Sequence, residues 1–345
     1  MSTSPRLEQL KRDLDVITPG QADQSPSTTG QQDRGRTASD PRQIPMPGWK
    51  DIALRSWAEV SENNIFLVAG GVTYAVLLAL FPGLAALVAI YGLLLDPQQV
   101  ERQVEALSNI LPSESTKMIG DELHKLVSAS HGSLSIGAAV ALLVALWSAS
   151  RGMSGLITAF NIAYGEKETR GFVKLNLIAI GLTIGMLIGG TVIIALVGVL
   201  PAAIQFIGLG SVAKWLLLIF EWPLLIAVVM TGLAVLYRYA PNRLTAKWRW
   251  VSGGAIAATA LWLLGSVAFT IYVSHFNSYD KTYGSLGGVV VMLTWLYLSS
   301  FVALFGAVIN AQMERQTEAD STVGHGKPLG DRRAYAADTV GETTS

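Results

Sequence analysis

The stretch FLVAGGVTYAVLLALFPGLAALVAIYGLLL, residues 66–95, holds no charged side chain in 30 positions. A water-soluble helix needs a polar face, and this stretch cannot supply one. A helix that crosses the hydrocarbon core needs ~20 consecutive apolar residues, and this run is long enough to span with tilt. Three further runs are equally free of charge: 39 residues at 175–213, 30 at 250–279 and 32 at 282–313. The chain therefore reads as a polytopic membrane protein. Its 345 residues would allow about two soluble domains by length. Its composition argues otherwise, because 14% of residues are charged against ~25% in soluble domains.

The periodicity and length of the apolar runs predict an all-α bundle with six spans, at about 66–95, 134–162, 175–200, 212–237, 250–273 and 285–311. The second is interrupted by Ser148, Ser150, Arg151 and Gly152, and one kinked or tilted helix is the simpler reading. No period-two alternation of the barrel type occurs. The domain reading is a polar tail at 1–48, a membrane domain at 49–312 and a second polar tail at 313–345. Both tails are poor in apolar clusters, which predicts disorder. At 49–60, Trp49, Ile52, Ala53, Trp57 and Val60 recur at helical spacing. That stripe fits a helix lying on the membrane surface or a cap on the end of the bundle.

Lys and Arg near the span ends set orientation. With the N-terminus inside, the inside segments carry ten: Lys50, Arg55, Lys167, Arg170, Lys174, Arg238, Arg243, Lys247, Arg249 and Arg315. The outside segments carry five: Arg102, Lys117, Lys125, Lys214 and Lys281. Both termini are expected to be cytoplasmic. The largest outside segment, 96–133, holds two amphipathic stripes, Val100/Val104/Leu107/Leu111 and Ile119/Leu123/Leu126/Val127, separated by Pro112. They predict a helical hairpin, either a lid over an outward opening or a plain hairpin resting on the bundle.

Small residues recur every fourth position in several spans: Gly71, Ala75, Ala79 and Gly83 in the first, and Gly181, Gly185 and Gly189 in the third. Gly253, Ala257 and Gly265 share a face of the fifth. Such stripes let helix backbones approach closely within the membrane, in a tight bundle or a homo-oligomer.

The motifs AGGVTYAVLLALFP (69–82), WSASRGMSGLITAFNIAY (147–164), ETRGF (168–172), LYRYAPN (236–242) and SYDKTYGSLGGVVVMLTWLYLSS (278–300) occur in this order. Together with Trp262 and Tyr272 they make the chain resemble the YihY/BrkB family of bacterial inner-membrane proteins, over about residues 50–312. The resemblance implies six membrane helices in the cytoplasmic membrane and no settled biochemical activity. Some members are associated with serum resistance. The family has also carried a ribonuclease BN label that looks like a misassignment, and transport is commonly suspected for it. Tyr74, Asn161 and Tyr164 fall within the matching motifs.

Arg151 is the sharpest chemical signal. It lies about 12 residues, roughly 18 Å, from the inner end of its span. A cation there costs ~2.5–3.5 kcal/mol on insertion scales and usually faces a bundle interior or a wet cavity. It reads either as an anion-binding or coupling site, since its fork suits phosphate and carboxylate, or as a structural Arg neutralised by one acid or by freed carbonyls. Glu221 is an acid within the fourth span. It could pair with Arg151, titrate with a pKa raised by burial, or reach outer water beside Trp222. Asn161, Asn176 and Asn310 near the inner ends read chiefly as interhelical hydrogen-bonding groups. Pro82 and Pro223 each remove a backbone donor and mark candidate helix breaks. Asp280, Lys281 and Tyr283, with Gly287 and Gly288 as a flexible entry to the last span, form a candidate outer gate or a tight interfacial loop.

Two function classes fit. One is a transporter or permease handling an anionic solute or lipid at an intramembrane site near Arg151, with Glu221, Asn161 and Tyr74. The other is a scaffold or envelope-assembly factor that moves no solute. A nuclease would need clustered carboxylates or His on the inside, where the first loop offers only Glu166 and Glu168. No P-loop or HExxH is present. The chain is expected not to be an enzyme and to need no cofactor or metal. Its expected partners are membrane lipids, an anionic solute and a second copy of itself. A net charge of zero gives no reason to expect nucleic acid.

Overall fold

In the computed structural model, which describes residues 34–94, 136–199, 211–275 and 285–344, the described part of each long apolar run is helical. A surface helix α1 (Met46–Glu62) precedes α2 (Ile65–Leu94), α3 (Ile136–Ala163), α4 (Phe172–Ile194), α5 (Ser211–Tyr239), α6 (Trp248–His275) and α7 (Ser285–Glu314). A five-residue π turn, Ala195–Val199, extends α4. A single turn, α8 (Tyr335–Asp338), lies near the C-terminus. The six helices α2 to α7 are long and apolar enough to cross a membrane. Their bounds lie close to the six expected spans, and the second span is one uninterrupted helix through Arg151.

The spans form a ring. Each packs on the next, α7 closes back on α2 and α3, and the α4–α5 seam is the loosest of the sequential contacts. One end of the bundle, here termed the base, gathers the N-termini of α2, α4 and α6 and the C-termini of α3, α5 and α7. The base halves of the spans hold the core: Ile157 and Phe160 of α3, Tyr237 of α5, Val251 of α6, and Leu304 and Val308 of α7. Phe160 meets Tyr237 edge-on at 5.6 Å, and the Tyr237 hydroxyl donates to the Ala303 carbonyl at 2.7 Å. Farther from the base the spans turn apolar side chains outward, among them Leu143, Ile188, Phe220, Leu264 and Val290. A membrane helix does this where its solvent is lipid.

The small-residue stripes have different fates. A methyl group added at Gly152 of α3 would collide with the Ala79 Cβ and lie 3.0 Å from the Ala75 carbonyl oxygen. At Gly254 of α6 it would collide with the Gly306 carbonyl of α7, and Asn310 holds that crossing by accepting from the Gly254 amide at 2.7 Å. At Gly181, Gly185 and Gly189 of α4 it would meet nothing within 4 Å.

Two expectations are corrected here. Pro82 and Pro223 do not break their helices, since α2 and α5 run through them. Nor is the C-terminal tail loose: residues 313–344 fold against the base together with residues 34–48. Composition misled because it weighs apolar burial alone. The order here comes from guanidinium groups donating to backbone carbonyls. Arg332 donates to the carbonyls of Glu318, Ala319, Lys327 and Ala337. Arg36 and Arg55 reach carbonyls at 315–316, 341 and 342 in the same way. Asp51 of α1 accepts from Arg34 at 2.8 Å and from the Thr344 hydroxyl at 2.6 Å. Helix α1 therefore buries a partly polar face, Asp51, Ile52, Arg55 and Val60, as a cap on the base, while Met46, Leu54 and Trp57 stay exposed. Residues 1–33 of the N-terminal tail and the expected hairpin at 96–133 lie outside the described residues.

Candidate functional site

The mid-span residues are not brought together. Arg151 is exposed on α3, its guanidinium 6.0 Å from the Trp147 ring. Glu221 is half-buried on α5. Among the described residues no ion pair joins Arg151 and Glu221, and neither holds any other. Tyr74 is 64% exposed on α2. Asn161 is buried, but it serves the base: it donates to Glu168 at 2.9 Å and accepts from the Asn242 amide at 2.7 Å. It thereby ties the end of α3 to the α3–α4 loop and to the α5–α6 turn. Asn310 bridges α6 and α7, whereas Asn176 bonds only within its own helix, to the Phe172 carbonyl. Of the candidate outer gate, Asp280, Lys281 and Tyr283 lie outside the described residues. Gly287 and Gly288 sit in the continuous helix α7, so no unwound entry occurs there.

The polar chemistry is concentrated at the base. Arg243, in the α5–α6 turn, forks onto Glu314 at the end of α7 with bonds of 2.8 and 2.5 Å. The two side chains are 1% and 0% exposed. The Ser321 hydroxyl donates to the same carboxylate, and the Tyr164 ring lies 5.2 Å from the guanidinium. Burial alone would disfavour the charge on Arg243, but the Glu314 carboxylate outweighs it and raises the Arg243 pKa. Nearby, Glu168 accepts from Arg170 at 2.6 and 2.8 Å. Hydrogen bonding from that side chain pulls the Glu168 carboxyl down to about 2, against some opposition from burial. Glu166 shifts the opposite way, raised by burial, although it accepts from the Tyr335 amide at 2.7 Å.

Beside this cluster, a pocket of about 390 Å³ opens between the start of α4 and the end of α5. Its charged lining is Arg170, Lys174, Arg238 and Arg243, with no Asp or Glu. The four are not equivalent. Arg170 and Arg243 have the carboxylates of Glu168 and Glu314 behind them. Lys174 is exposed and, among the described residues, has no acidic partner. Arg238 gives one bond to the Ala246 carbonyl and stacks 4.5 Å over the Trp248 ring and 5.5 Å from Tyr239. Its buried Nε donor has no partner among the described residues. Helix α4 starts at the rim of the pocket, with Gly171 as an N-cap that offers no side-chain bond and no acid in the first turn. Helix amides left uncapped in this way favour an anion.

Reading the spans one at a time missed this pocket, because it joins ETRGF to LYRYAPN across about 70 residues of sequence. A usable signal was present: residues 236–250 carry Arg238, Arg243, Lys247 and Arg249 and no acid. Among the described residues, no three His, Asp or Glu side chains gather as a metal site.

The chain is similar to known bacterial proteins over most of its length. It is 31% identical to the ribonuclease-like protein YfkH of Bacillus subtilis, over 70% of this chain and 88% of that one. It is 26% identical to a UPF0761 membrane protein of Haemophilus influenzae, over 78% and 97% of the two chains. It is 31% identical to a UPF0761 membrane protein of Alteromonas mediterranea, over 71% and 82%. No solved structure matches it. The family model for virulence factor BrkB matches residues 56–328, and with that span the chain belongs to the BrkB family of multi-pass membrane proteins.

Proposed function

We propose that this chain is a permease-like protein of the bacterial cytoplasmic membrane, not an enzyme, and that it handles an anionic ligand at the base of α4 and α5. The observation that carries the reading is the acid-free pocket, in which Lys174 and Arg238 have no carboxylate partner among the described residues. A buried guanidinium donor without a partner is costly unless a ligand or water supplies the acceptor. The reading therefore shifts from Arg151, which is exposed and holds no ion pair among the described residues, to Arg238 and Lys174. The bias of ten inside against five outside cations favours the base, with both termini, on the cytoplasmic side.

Proteoliposomes carrying the purified protein test this with two probes, inorganic phosphate and fluorescent phosphatidylglycerol. Movement of either probe above that of empty vesicles, lost in Lys174→Gln/Arg238→Gln, is the expected result. Flux equal to that of empty vesicles for both probes would overturn the permease reading.

A further inference from the structure

The basic pocket does not end at the base. Gly181 and Leu182 line it and also line a second, apolar cavity of about 660 Å³ that continues between α4 and α5. This groove runs from Gly181 to Ile193 on α4 and from Leu236 back to Leu224 on α5. Twelve helical residues make about 18 Å, slightly more than the ~15 Å hydrocarbon depth of one leaflet. Its wall on the α4 side is the glycine stripe, where an added methyl group would meet nothing within 4 Å.

We infer that pocket and groove form one seat for a glycerophospholipid with an anionic headgroup, its phosphate between Lys174 and Arg238 and its acyl chains along Gly185 and Gly189. This rests on the anionic-ligand reading above and names the ligand class. Two independent features converge on it. The charge of the pocket is complementary to phosphate, and Arg238 on its wall carries a buried Nε donor with no partner among the described residues. The depth and apolar lining of the groove suit acyl chains, which a free anion would leave unused. The groove lies at the loosest seam of the ring, so a lipid can enter sideways from its own leaflet.

The experiment is native mass spectrometry of the full chain against phosphatidylglycerol, phosphatidylcholine and inorganic phosphate. It compares wild type with Gly185→Leu/Gly189→Leu, which fills the groove without touching the pocket, and with Lys174→Gln/Arg238→Gln. Wild type should prefer phosphatidylglycerol to phosphatidylcholine by roughly tenfold, because both offer the phosphate but the choline cation is repelled by a pocket whose charged lining is all basic. Each double variant should lose that preference while keeping its helical circular dichroism. Equal retention of the two lipids by wild type, or an unchanged preference in the groove-filled variant, would overturn the lipid seat. Phosphate bound alike by wild type and groove-filled variant, with no lipid preference, would also overturn it and leave the anion reading standing. If neither phosphate nor phosphatidylglycerol binds wild type, both fall.

Discussion

The α2–α3 and α4–α5 seams carry the same sequence feature and put it to opposite use. In the first, Gly152 and Gly155 of α3 meet Ala75 and Ala79 of α2 so closely that a single added methyl group has no room at Gly152. In the second, Gly181, Gly185 and Gly189 face open space. A small residue lowers the wall of a helix. Whether a neighbouring backbone fills the gap depends on the partner face, and α5 presents Leu224, Val228 and Leu236 where α2 presents alanines. Large side chains on one side and none on the other hold two helices apart and leave a groove. The cations at the base divide in the same way. Arg243 is forked onto a buried carboxylate, whereas Arg238, in the same pocket, has none among the described residues.

The largest expected effect follows from that second contrast. Glu314→Gln would strand the buried Arg243 guanidinium and should cost about 3–5 kcal/mol, as removing one partner of a buried pair does. Thermal denaturation in detergent would show it. Arg238→Gln removes no ion pair, only the bond to the Ala246 carbonyl and the stacking on Trp248, and should cost less, about 1–2 kcal/mol, while abolishing selectivity for anionic lipid. Equal destabilisation by the two variants would mean that Arg238 is structural and the contrast is false. The seams give the next effect. Gly152→Leu overpacks a closed crossing and should cost about 1–3 kcal/mol, whereas Gly185→Leu should change stability by less than about 0.5 kcal/mol. If Gly185→Leu unfolds the protein as readily as Gly152→Leu, the α4–α5 groove is closed in the membrane.

Four of the six spans were legible in the sequence because charge-free runs of 30 residues or more are stable in lipid as helices, and the other two were legible as shorter apolar runs around Arg151 and Glu221. The tails were not. Arg332 orders its segment through four carbonyls, and no composition scale registers hydrogen bonds from one guanidinium to backbone that is near only after folding. The pocket failed for a related reason. Arg238 lies in LYRYAPN and Lys174 two residues beyond ETRGF, yet each alone is an ordinary inside-end cation. Their joint meaning depends on α4 and α5 standing side by side and apart. Arg151 drew attention because a mid-span charge is conspicuous in one dimension, but depth along a helix does not say which way the side chain faces.

The smallest effect concerns the loop that joins the closed seam to the open one. Glu168 ties Asn161 at the end of α3 to Arg170 at the start of α4. Its carboxyl lies at about 2 in the folded protein, against an ordinary 4.5. A depressed acid contributes stability that is fully present above its unfolded pKa and is lost as pH falls through the folded value. The loop should therefore loosen as pH drops from about 4.5 toward about 2, with the bulk of the bundle retained. Glu166, whose pKa burial raises, contributes in the reverse sense, since its protonated form is favoured in the fold. Loosening below about pH 4.5 thus points to Glu168. Hydrogen exchange of residues 165–171 in wild type should speed up between about pH 5 and about pH 3, beyond the intrinsic change of the amides. In Glu168→Gln that extra acceleration should be absent, because the amide has no charge to lose. Extra acceleration that persists in Glu168→Gln would show that Arg170 is not held by this carboxylate. The loop would then no longer link the packed side of the ring to its open side.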